Sequence, residues 1–178
     1  YTLFATDPAR ANLWLGAAHV RDEAEKQQRV AALCRTLPGS GIVYVRSRAQ
    51  AEEIAALLRT QQIQAAAYHA AISDRTQVQE QFMQGKVRIV VATIAFGMGV
   101  DKGDIRFVIH CGLPSSLEAY SQEVGRAGRD GEPATCMLYY HARDLEQSMA
   151  FVQRDGSDIN LLQGTLDAVA AAAGEHRI

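Results

Sequence analysis

Residues 42–58 read IVYVRSRAQAEEIAALL and join an apolar run to a helix-forming segment. The run Ile42–Val45 is β-branched and aromatic without a polar interruption, which is typical of a strand buried on both faces. Ser47 followed by Gln50 fits a capping box, in which each side chain satisfies an orphan amide of the first helical turn. Apolar residues then recur at helical spacing as far as Leu58. The stretch predicts a strand followed directly by a helix, which is the repeating unit of an α/β fold.

The same alternation continues along the chain. Short apolar runs predict strands at 13–20, 42–45, 65–68, 89–93, 107–110 and 136–140. Helices are predicted from about Ala24 to Leu37, after Ser47, from Ser73 to Gly85, and from Ser115, which Glu118 follows as in a capping box. Together these elements predict a three-layer α/β sandwich with a mostly parallel central sheet and right-handed crossovers. Ligands of such folds bind beyond the carboxyl ends of the strands.

Composition excludes several classes of protein. The chain has 178 residues, 48% of them hydrophobic, which is enough for a core and excludes a long disordered chain. Its net charge of -2 means that any nucleic-acid site must be local. The cysteines lack zinc or redox spacing and are expected to be reduced, partly buried thiols. Without a long apolar span or a secretory pattern, the chain is expected in the cytoplasm or nucleoid, with no membrane partner.

The segment Gln122–Gly131, QEVGRAGRDG, carries the strongest chemical signal. It is predicted to end the helix that starts at Ser115, with Arg126 and Arg129 close together on one face. Guanidinium groups stay charged and match phosphate oxygens, and the adjacent glycines allow a ligand to approach. The alternative is an ordinary helix end whose arginines favour the dipole and pair with Glu123 or Asp130.

A second motif, VVATIAFGMGVDK, occupies residues 90–102. It predicts a buried strand that stops at Thr93 and enters a loop in which Gly99 permits close approach of a ligand. Asp101 can accept from a sugar hydroxyl, and Lys102 can pair with a carboxylate or phosphate. A common turn with Phe96 in the core is the alternative interpretation.

These two motifs, with residues 42–48 and 66–70, resemble motifs IV to VI of the RecQ family of superfamily 2 DNA helicases. The resemblance implies the second RecA-like lobe of a motor over residues 1–154, with 155–178 as a helical connector toward a following module. It implies that Arg129 is an arginine finger and that Arg126 senses phosphate or contacts the opposite lobe. Gln122 would orient near the nucleotide, and Asp101 would bind the ribose or couple the lobes, beside Gly99. The residues implied to contact single-stranded DNA are Ser47, Arg48, His69, Thr93 and Lys102.

An ATPase also needs a phosphate cradle and a magnesium-binding acid, and the chain has no G-x-x-x-x-G-K-[ST] segment. Asp22-Glu23 resembles a metal motif, but it opens a predicted helix, where acidic residues favour the dipole. We therefore expect ATP with Mg²⁺ to be bound mainly by a first RecA-like lobe of the same protein. Arg46, Arg48, Lys102, Arg126 and Arg129 are predicted to gather at the cleft edge.

The expected function is the second motor lobe of an ATP-dependent 3′-to-5′ DNA helicase, which binds single-stranded and forked DNA and unwinds duplexes in repair or recombination. The alternatives are a lobe of a superfamily 2 RNA helicase and a non-catalytic nucleic-acid-binding module. Two further residues are interpreted as structural: His110 as a satisfied core histidine, and Trp14 as a packed residue of the first strand, with stacking on a base as the alternative for Trp14.

Overall fold

The computed structural model describes residues 10–93, 96, 101–144 and 146. The elements in chain order are β1 (Leu13–His19), α1 (Glu23–Thr36), β2 (Ser40–Val45), α2 (Arg48–Thr60), β3 (Ala65–Tyr68), α3 (Arg75–Met83), β4 (Ile89–Ala92), β5 (Ile105–Cys111), α4 (Leu117–Val124) and β6 (Ala134–Tyr140). Over this part of the chain the strands form one six-stranded sheet in the order β1-β6-β5-β2-β4-β3. Every pair is parallel, so the predicted α/β class is confirmed.

Strand β2 lies in the middle of the sheet, between β5 and β4, and its residues alternate between two cores. Val43 and Val45 pack on the face that α1 and α2 cover. Ile42 and Tyr44 pack on the opposite face, with residues of α3 and α4. The apolar run is continuous because both faces are buried, and the three predicted layers follow from it.

The helix starts show where local pattern sufficed and where it did not. The Asp22 carboxylate accepts from the Glu25 amide at 2.8 Å, so Asp22 caps α1 as the dipole argument expects. The Ser47 hydroxyl accepts from the Gln50 amide at 3.2 Å. For α4 the predicted cap is wrong by one residue, because it is Ser116 whose hydroxyl accepts from the Ala119 amide, at 3.1 Å. The third helix starts at Arg75, slightly after the predicted position.

Helix α4 ends at Val124, which corrects the predicted position of the arginines. Gly125 forms the C-cap, and Gly128 then adopts a left-handed conformation with φ of 54°. Arg126 and Arg129 therefore lie in the turns that follow the helix, not on its last turn. The run of glycines is the physical reason, since glycine both disfavours helix continuation and permits positive φ.

Other interpretations meet mixed outcomes. Trp14 is 43% exposed on the edge strand β1, so its predicted packing is wrong. The cysteines are free and buried, as expected for reduced thiols. The predicted boundary near residue 154 and the connector 155–178 lie outside the described residues. Among the described residues, no helix is long and apolar enough to cross a membrane.

Candidate functional site

The arginine loop, residues 125–131, is joined to the second motif by an ion pair. Nη1 of Arg129 lies 2.8 Å from Oδ1 of Asp101. The Asp101 side chain is 89% exposed and that of Arg129 is 38% exposed, so both charged groups reach the surface. Two residues that the sequence places in different motifs therefore meet in the structure. Gln122 lies on exposed α4 surface, and Gly99 lies outside the described residues.

The arginine loop is anchored by residues that precede the first strand. The Arg10 guanidinium donates to the carbonyl of Gly125 at 3.1 Å and also to that of Gly128. Nδ2 of Asn12 donates to the Gly128 carbonyl at 2.8 Å and to the Glu132 carbonyl at 2.9 Å. Sequence reasoning missed Arg10 and Asn12, because they lie outside every motif and no local pattern marks them.

Gly128 is the one position in this loop where a side chain is excluded on two grounds. Its φ of +54° disfavours other residues, and a Cβ atom would lie 2.6 Å from Asn12 Nδ2 and 2.7 Å from the Glu132 carbonyl oxygen. Its amide also donates to the Ile105 carbonyl at 2.8 Å, which ties the loop to the start of β5. The loop thus has a fixed path that presents Arg129 outward.

The acidic residues of the arginine motif have other partners than the helix-end interpretation expects. Asp130 accepts from Nη2 of Arg106 at 2.6 Å, and this hydrogen bond lowers the pKa of the Asp130 carboxyl. Glu123 pairs instead with His110 of β5. Arg129 pairs with Asp101, a residue of the other motif.

Arg126 lies over the sheet face that carries Tyr44. Its Nε atom is buried and has no hydrogen-bond partner among the described residues. Burial raises the pKa of Tyr44, while the positive charges of Arg126 and Arg129 act to lower it. The two guanidinium groups are thus close enough to Tyr44 to affect the pKa of its hydroxyl.

Three of the predicted nucleic-acid residues follow the carboxyl ends of neighbouring strands. Ser47 lies just beyond β2, Thr93 beyond β4 and His69 beyond β3, and these strands are adjacent in the order β2-β4-β3. Arg48 is the exposed first residue of α2. These residues, Ser47, Arg48, His69 and Thr93, are called the strand-end row below.

His69 is the most constrained member of the strand-end row. It is 6% exposed, and its Nδ1 accepts from the Ala71 amide at 3.3 Å. Nε2 therefore carries the hydrogen and donates to Oε1 of Glu52, 3.0 Å away. The Thr93 amide donates to the carbonyl of Tyr68, the last residue of β3, at 3.2 Å. This hydrogen bond ties Thr93 to the strand that His69 follows.

Lys102 is not part of the strand-end row. It is 8% exposed, with Nζ 3.0 Å from Oδ1 of Asp104 and 5.7 Å from the centre of the Phe82 ring. Lys102 and Asp101 immediately precede β5, whereas Arg46 and Arg48 follow β2. The gathering of Arg46, Arg48, Lys102, Arg126 and Arg129 at the cleft edge stays a prediction.

A buried polar cluster near the end of β6 was not predicted. Nζ of Lys26, which is fully buried, lies 2.6 Å from Oδ2 of Asp144 and 3.1 Å from Oε2 of Glu23. Nη1 of Arg46 lies 3.8 Å from Oδ1 of Asp144. Glu23 is thus part of a structural ion-pair cluster, and no group of residues suited to a metal ion occurs in the described ranges.

Comparison with known proteins gives this geometry a context. The sequence pattern described as "Helicase conserved C-terminal domain" matches residues 25–131. The ATP-dependent DNA helicase RecQ of Pasteurella multocida (strain Pm70) is 49% identical over 126 residues, which are 67% of this chain and 20% of that protein. Curated relatives of this kind are 41–53% identical, and the chain spans only 8–30% of their lengths. The predicted resemblance to RecQ-type helicases is confirmed.

Solved structures show the same fold. A DEAD box protein from Methanococcus jannaschii superposes with a TM-score of 0.68 at 27% identity, over 82% of this chain and 40% of that one. The helicase Lhr of Mycobacterium smegmatis, solved with single-stranded DNA and AMP-PNP, gives 0.63 at 29% identity, over 79% of this chain and 21% of that one. The likeness confirms the predicted RecA-like fold class.

Proposed function

The chain belongs to the helicase conserved C-terminal domain family, and we propose that it is the second motor lobe of a RecQ-type DNA helicase. The complete protein would hydrolyse ATP and move 3′ to 5′ along single-stranded DNA, opening forked duplexes in repair or recombination. Such work places it with DNA in the cytoplasm or nucleoid. Residues 1–154 would form the lobe, and 155–178 would lead toward a following module.

One observation carries the proposal: the Arg129–Asp101 ion pair at the surface. An ion pair with an exposed carboxylate contributes little to stability, about 0–1 kcal/mol. Arg129 can therefore exchange Asp101 for phosphate oxygens at small cost. The anchors on Gly125 and Gly128 keep the loop in place while its side chain changes partner. Arg129 is suited to act as an arginine finger, and Asp101, once released, is free to accept from a ribose hydroxyl.

The residues fit a nucleotide that another lobe holds. The buried, unpartnered Nε of Arg126 is a donor in need of an acceptor, and an anionic oxygen near this loop would supply one. Arg126, Arg129, Asp101 and Gly99 would contact the nucleotide from this side, with Gln122 nearby. ATP, with Mg²⁺ bound mainly by the first lobe, supplies the phosphoryl group that is transferred to water. This chain contributes positive charge that stabilises the reacting phosphate.

The strand-end row is suited to a phosphodiester backbone. The Ser47 hydroxyl accepts from Gln50, which leaves its hydrogen available for a phosphate oxygen, and Arg48 adds an exposed charge. Contacts of this kind carry no base information, as a motor that moves along any sequence requires. Lys102 could join them only by leaving Asp104, so it is the least favoured of the predicted DNA contacts.

Sequence identity favours DNA over RNA as the track. Relatives named as DNA helicases are 41–53% identical to the chain. A non-catalytic module is the remaining alternative, and it would need no arginine pair on an anchored loop.

The decisive experiment uses the complete polypeptide that contains this chain. Duplexes with a 3′ tail, a 5′ tail or an RNA tail are offered with ATP, and strand separation is followed by fluorescence. We expect unwinding of the 3′-tailed DNA alone. Unwinding that favours the RNA-tailed duplex would replace the proposal with the RNA-helicase alternative, and an absence of strand separation on every duplex would favour the non-catalytic module.

A further inference from the structure

His110 and Glu123 form a buried pair beneath the arginine loop. His110 is 2% exposed near the end of β5, and its Nε2 lies 2.7 Å from Oε2 of Glu123 in the last turn of α4. The Glu123 side chain is 12% exposed. An ionised carboxylate can only accept, so Nε2 is the donor. A short bond to a nearly buried carboxylate fixes the end of α4 against the sheet.

The same glutamate is bonded to the arginine loop through its backbone. Its carbonyl accepts from the Arg126 amide at 3.3 Å, where the chain leaves α4. A displacement of Glu123 would thus be passed directly to Arg126, and through the following turn to Arg129. Side chain and backbone of one residue connect β5 to the loop.

The histidine ring connects the pair to the second motif. It stacks on the Tyr44 ring with a centroid distance of 5.3 Å and an interplanar angle of 22°. The Tyr44 hydroxyl donates to the Phe96 carbonyl at 3.1 Å, within the segment that follows β4. Tyr120 of α4 lies 5.0 Å from the His110 ring, centroid to centroid. His110 is therefore in contact with residues from β2 and α4, and one contact further with the motif after β4.

Unsatisfied polar atoms concentrate at this point. The buried side-chain atoms without a hydrogen-bond partner in the described residues are Nδ1 of His110, the hydroxyl of Tyr120 and Nε of Arg126. A core that served stability alone would gain from apolar residues here, because each unpaired buried polar group costs roughly 1–3 kcal/mol. The free-energy cost of these unpaired groups indicates that the side chains serve to hold neighbouring residues in position.

We propose that the His110–Glu123 pair is a positioning element that holds Arg126 and Arg129 in register with Phe96. It rests on the proposed function, because it assigns a role in the same phosphoryl transfer. Neither residue touches the nucleotide in this assignment; both act through the arginine loop. Sequence alone treats His110 as an ordinary core residue.

The test measures DNA-stimulated ATP hydrolysis by the complete polypeptide, with kcat and KM for ATP determined separately. Glu123→Ala should lower kcat about tenfold or more, since a misplacement near 1 Å can cost roughly 10²-fold. KM for ATP should change less than about threefold, because ground-state binding is left largely to the other lobe. Glu123→Gln should stay within about threefold of the parent in kcat, since its carboxamide oxygen accepts the same hydrogen bond.

Two further variants separate positioning from stability. His110→Phe keeps a ring against Tyr44 and removes Nε2, so it should match Glu123→Ala, and the double variant should lose no more than either single one. It also carries the test if Glu123→Ala does not fold. Val30→Ala opens a cavity in the opposite core, where Val30 is fully buried, and controls for lost thermal stability. We expect it to lower the melting temperature without lowering kcat.

The proposal is overturned if Glu123→Ala and His110→Phe keep the parent kcat, or if Val30→Ala loses as much kcat at an equal loss of melting temperature. Arg129→Ala, assayed in parallel, keeps the two levels of the argument apart. If it leaves hydrolysis unchanged, the proposed function fails; if it abolishes hydrolysis while Glu123→Ala does not lower kcat, the positioning role alone fails.

Discussion

Arg129 and Asp101 lie 28 residues apart in sequence, and Nη1 of the arginine is 2.8 Å from Oδ1 of the aspartate. This contact joins the loop after α4 to the segment before β5 at an exposed point of the surface. A pair so exposed contributes little to stability, so its charges can be redirected to a ligand.

Arg129→Ala should reduce DNA-stimulated hydrolysis by the complete polypeptide by about 10³-fold or more, the range of arginine fingers in nucleotide hydrolases. The melting temperature and the affinity for ATP should barely change. Steady-state hydrolysis and calorimetric ATP binding measure the two effects. Arg35 is an exposed arginine in the last turn of α1, so Arg35→Ala is the matched control. It should leave the hydrolysis rate and the affinity for ATP unchanged. Near-normal turnover of Arg129→Ala would reject the assignment of the finger.

The 178-residue chain alone should show no ATP hydrolysis above background, with or without single-stranded DNA. Its sequence has no G-x-x-x-x-G-K-[ST] segment to bind the phosphates of ATP, so we expect Arg129 to have no bound phosphate to stabilise. A coupled phosphate-release assay provides the measurement. Robust turnover by the chain would contradict the view that it holds half of the site.

Single-stranded DNA should bind this chain weakly and with a strong dependence on salt. Arg48→Ala should reduce the slope of log K against log salt by about 0.7, the loss of one phosphate contact. Fluorescence anisotropy over a salt series gives the slope. Lys86→Ala is the control, since Lys86 is exposed but precedes β4, away from Thr93. An equal change of slope in both variants would exclude the strand-end row as the track.

Asp144→Ala should destabilise the fold by about 3 kcal/mol, because it leaves the fully buried ammonium of Lys26 without its closest partner. Glu23, 3.1 Å from the same Nζ, limits the loss. Urea unfolding measures the change. A paired replacement, Lys26→Met with Asp144→Leu, should cost less than Asp144→Ala. If the pair costs more, the ion pair is a net source of stability.

The free energy of unfolding should fall at high pH because three cysteine thiols are buried. Burial raises the pKa of Cys34, Cys111 and Cys136 to about 12, above the value near 8.5 of an unfolded thiol. Below pH 8.5 both states keep the proton and nothing is lost. As pH rises from about 9 toward 12 only the unfolded chain ionises, so each thiol lowers the free energy of unfolding by up to about 1.4 kcal/mol per pH unit.

Urea midpoints at pH 7.5 and 9.5 measure this effect. Cys34→Ala should flatten the difference, because it removes one of the titrating groups. An unchanged difference in Cys34→Ala would show that other groups, such as the buried tyrosines, dominate.

Local sequence patterns were enough to predict the strands and helices. The strand order and the exposure of individual residues depend on packing between distant parts of the chain. The run Ile42–Val45 predicted a strand buried on both faces because all of its residues are β-branched or aromatic, and such residues favour buried strands. Nothing local distinguished Ser115 from Ser116 as the cap of α4, since either hydroxyl can serve. Trp14 is apolar and was expected to pack, but its strand lies at the edge of the sheet. The strand order itself depends on contacts between residues far apart in sequence.

The same division holds for the candidate site. Arg126, Arg129 and Asp101 stand out because glycine and charge occur together in short motifs. Arg10, Asn12 and the His110–Glu123 pair act across long sequence separations, with ordinary residues whose importance depends on what they meet. Lys102 is the opposite case. Its place in a motif predicted a DNA contact, but in the structure its side chain is buried and paired with Asp104.

The anchoring of the arginine loop by Arg10 and Asn12 has a consequence for how the domain is delimited. The family pattern begins at residue 25 and ends at 131, and so omits both anchors as well as strands β1 and β6. A truncation at those limits would remove an edge of the sheet and free the loop that carries Arg129. The segment that the family pattern covers is thus smaller than the sheet and the anchors that hold the arginine loop in place, and any dissection of the protein should begin no later than Arg10.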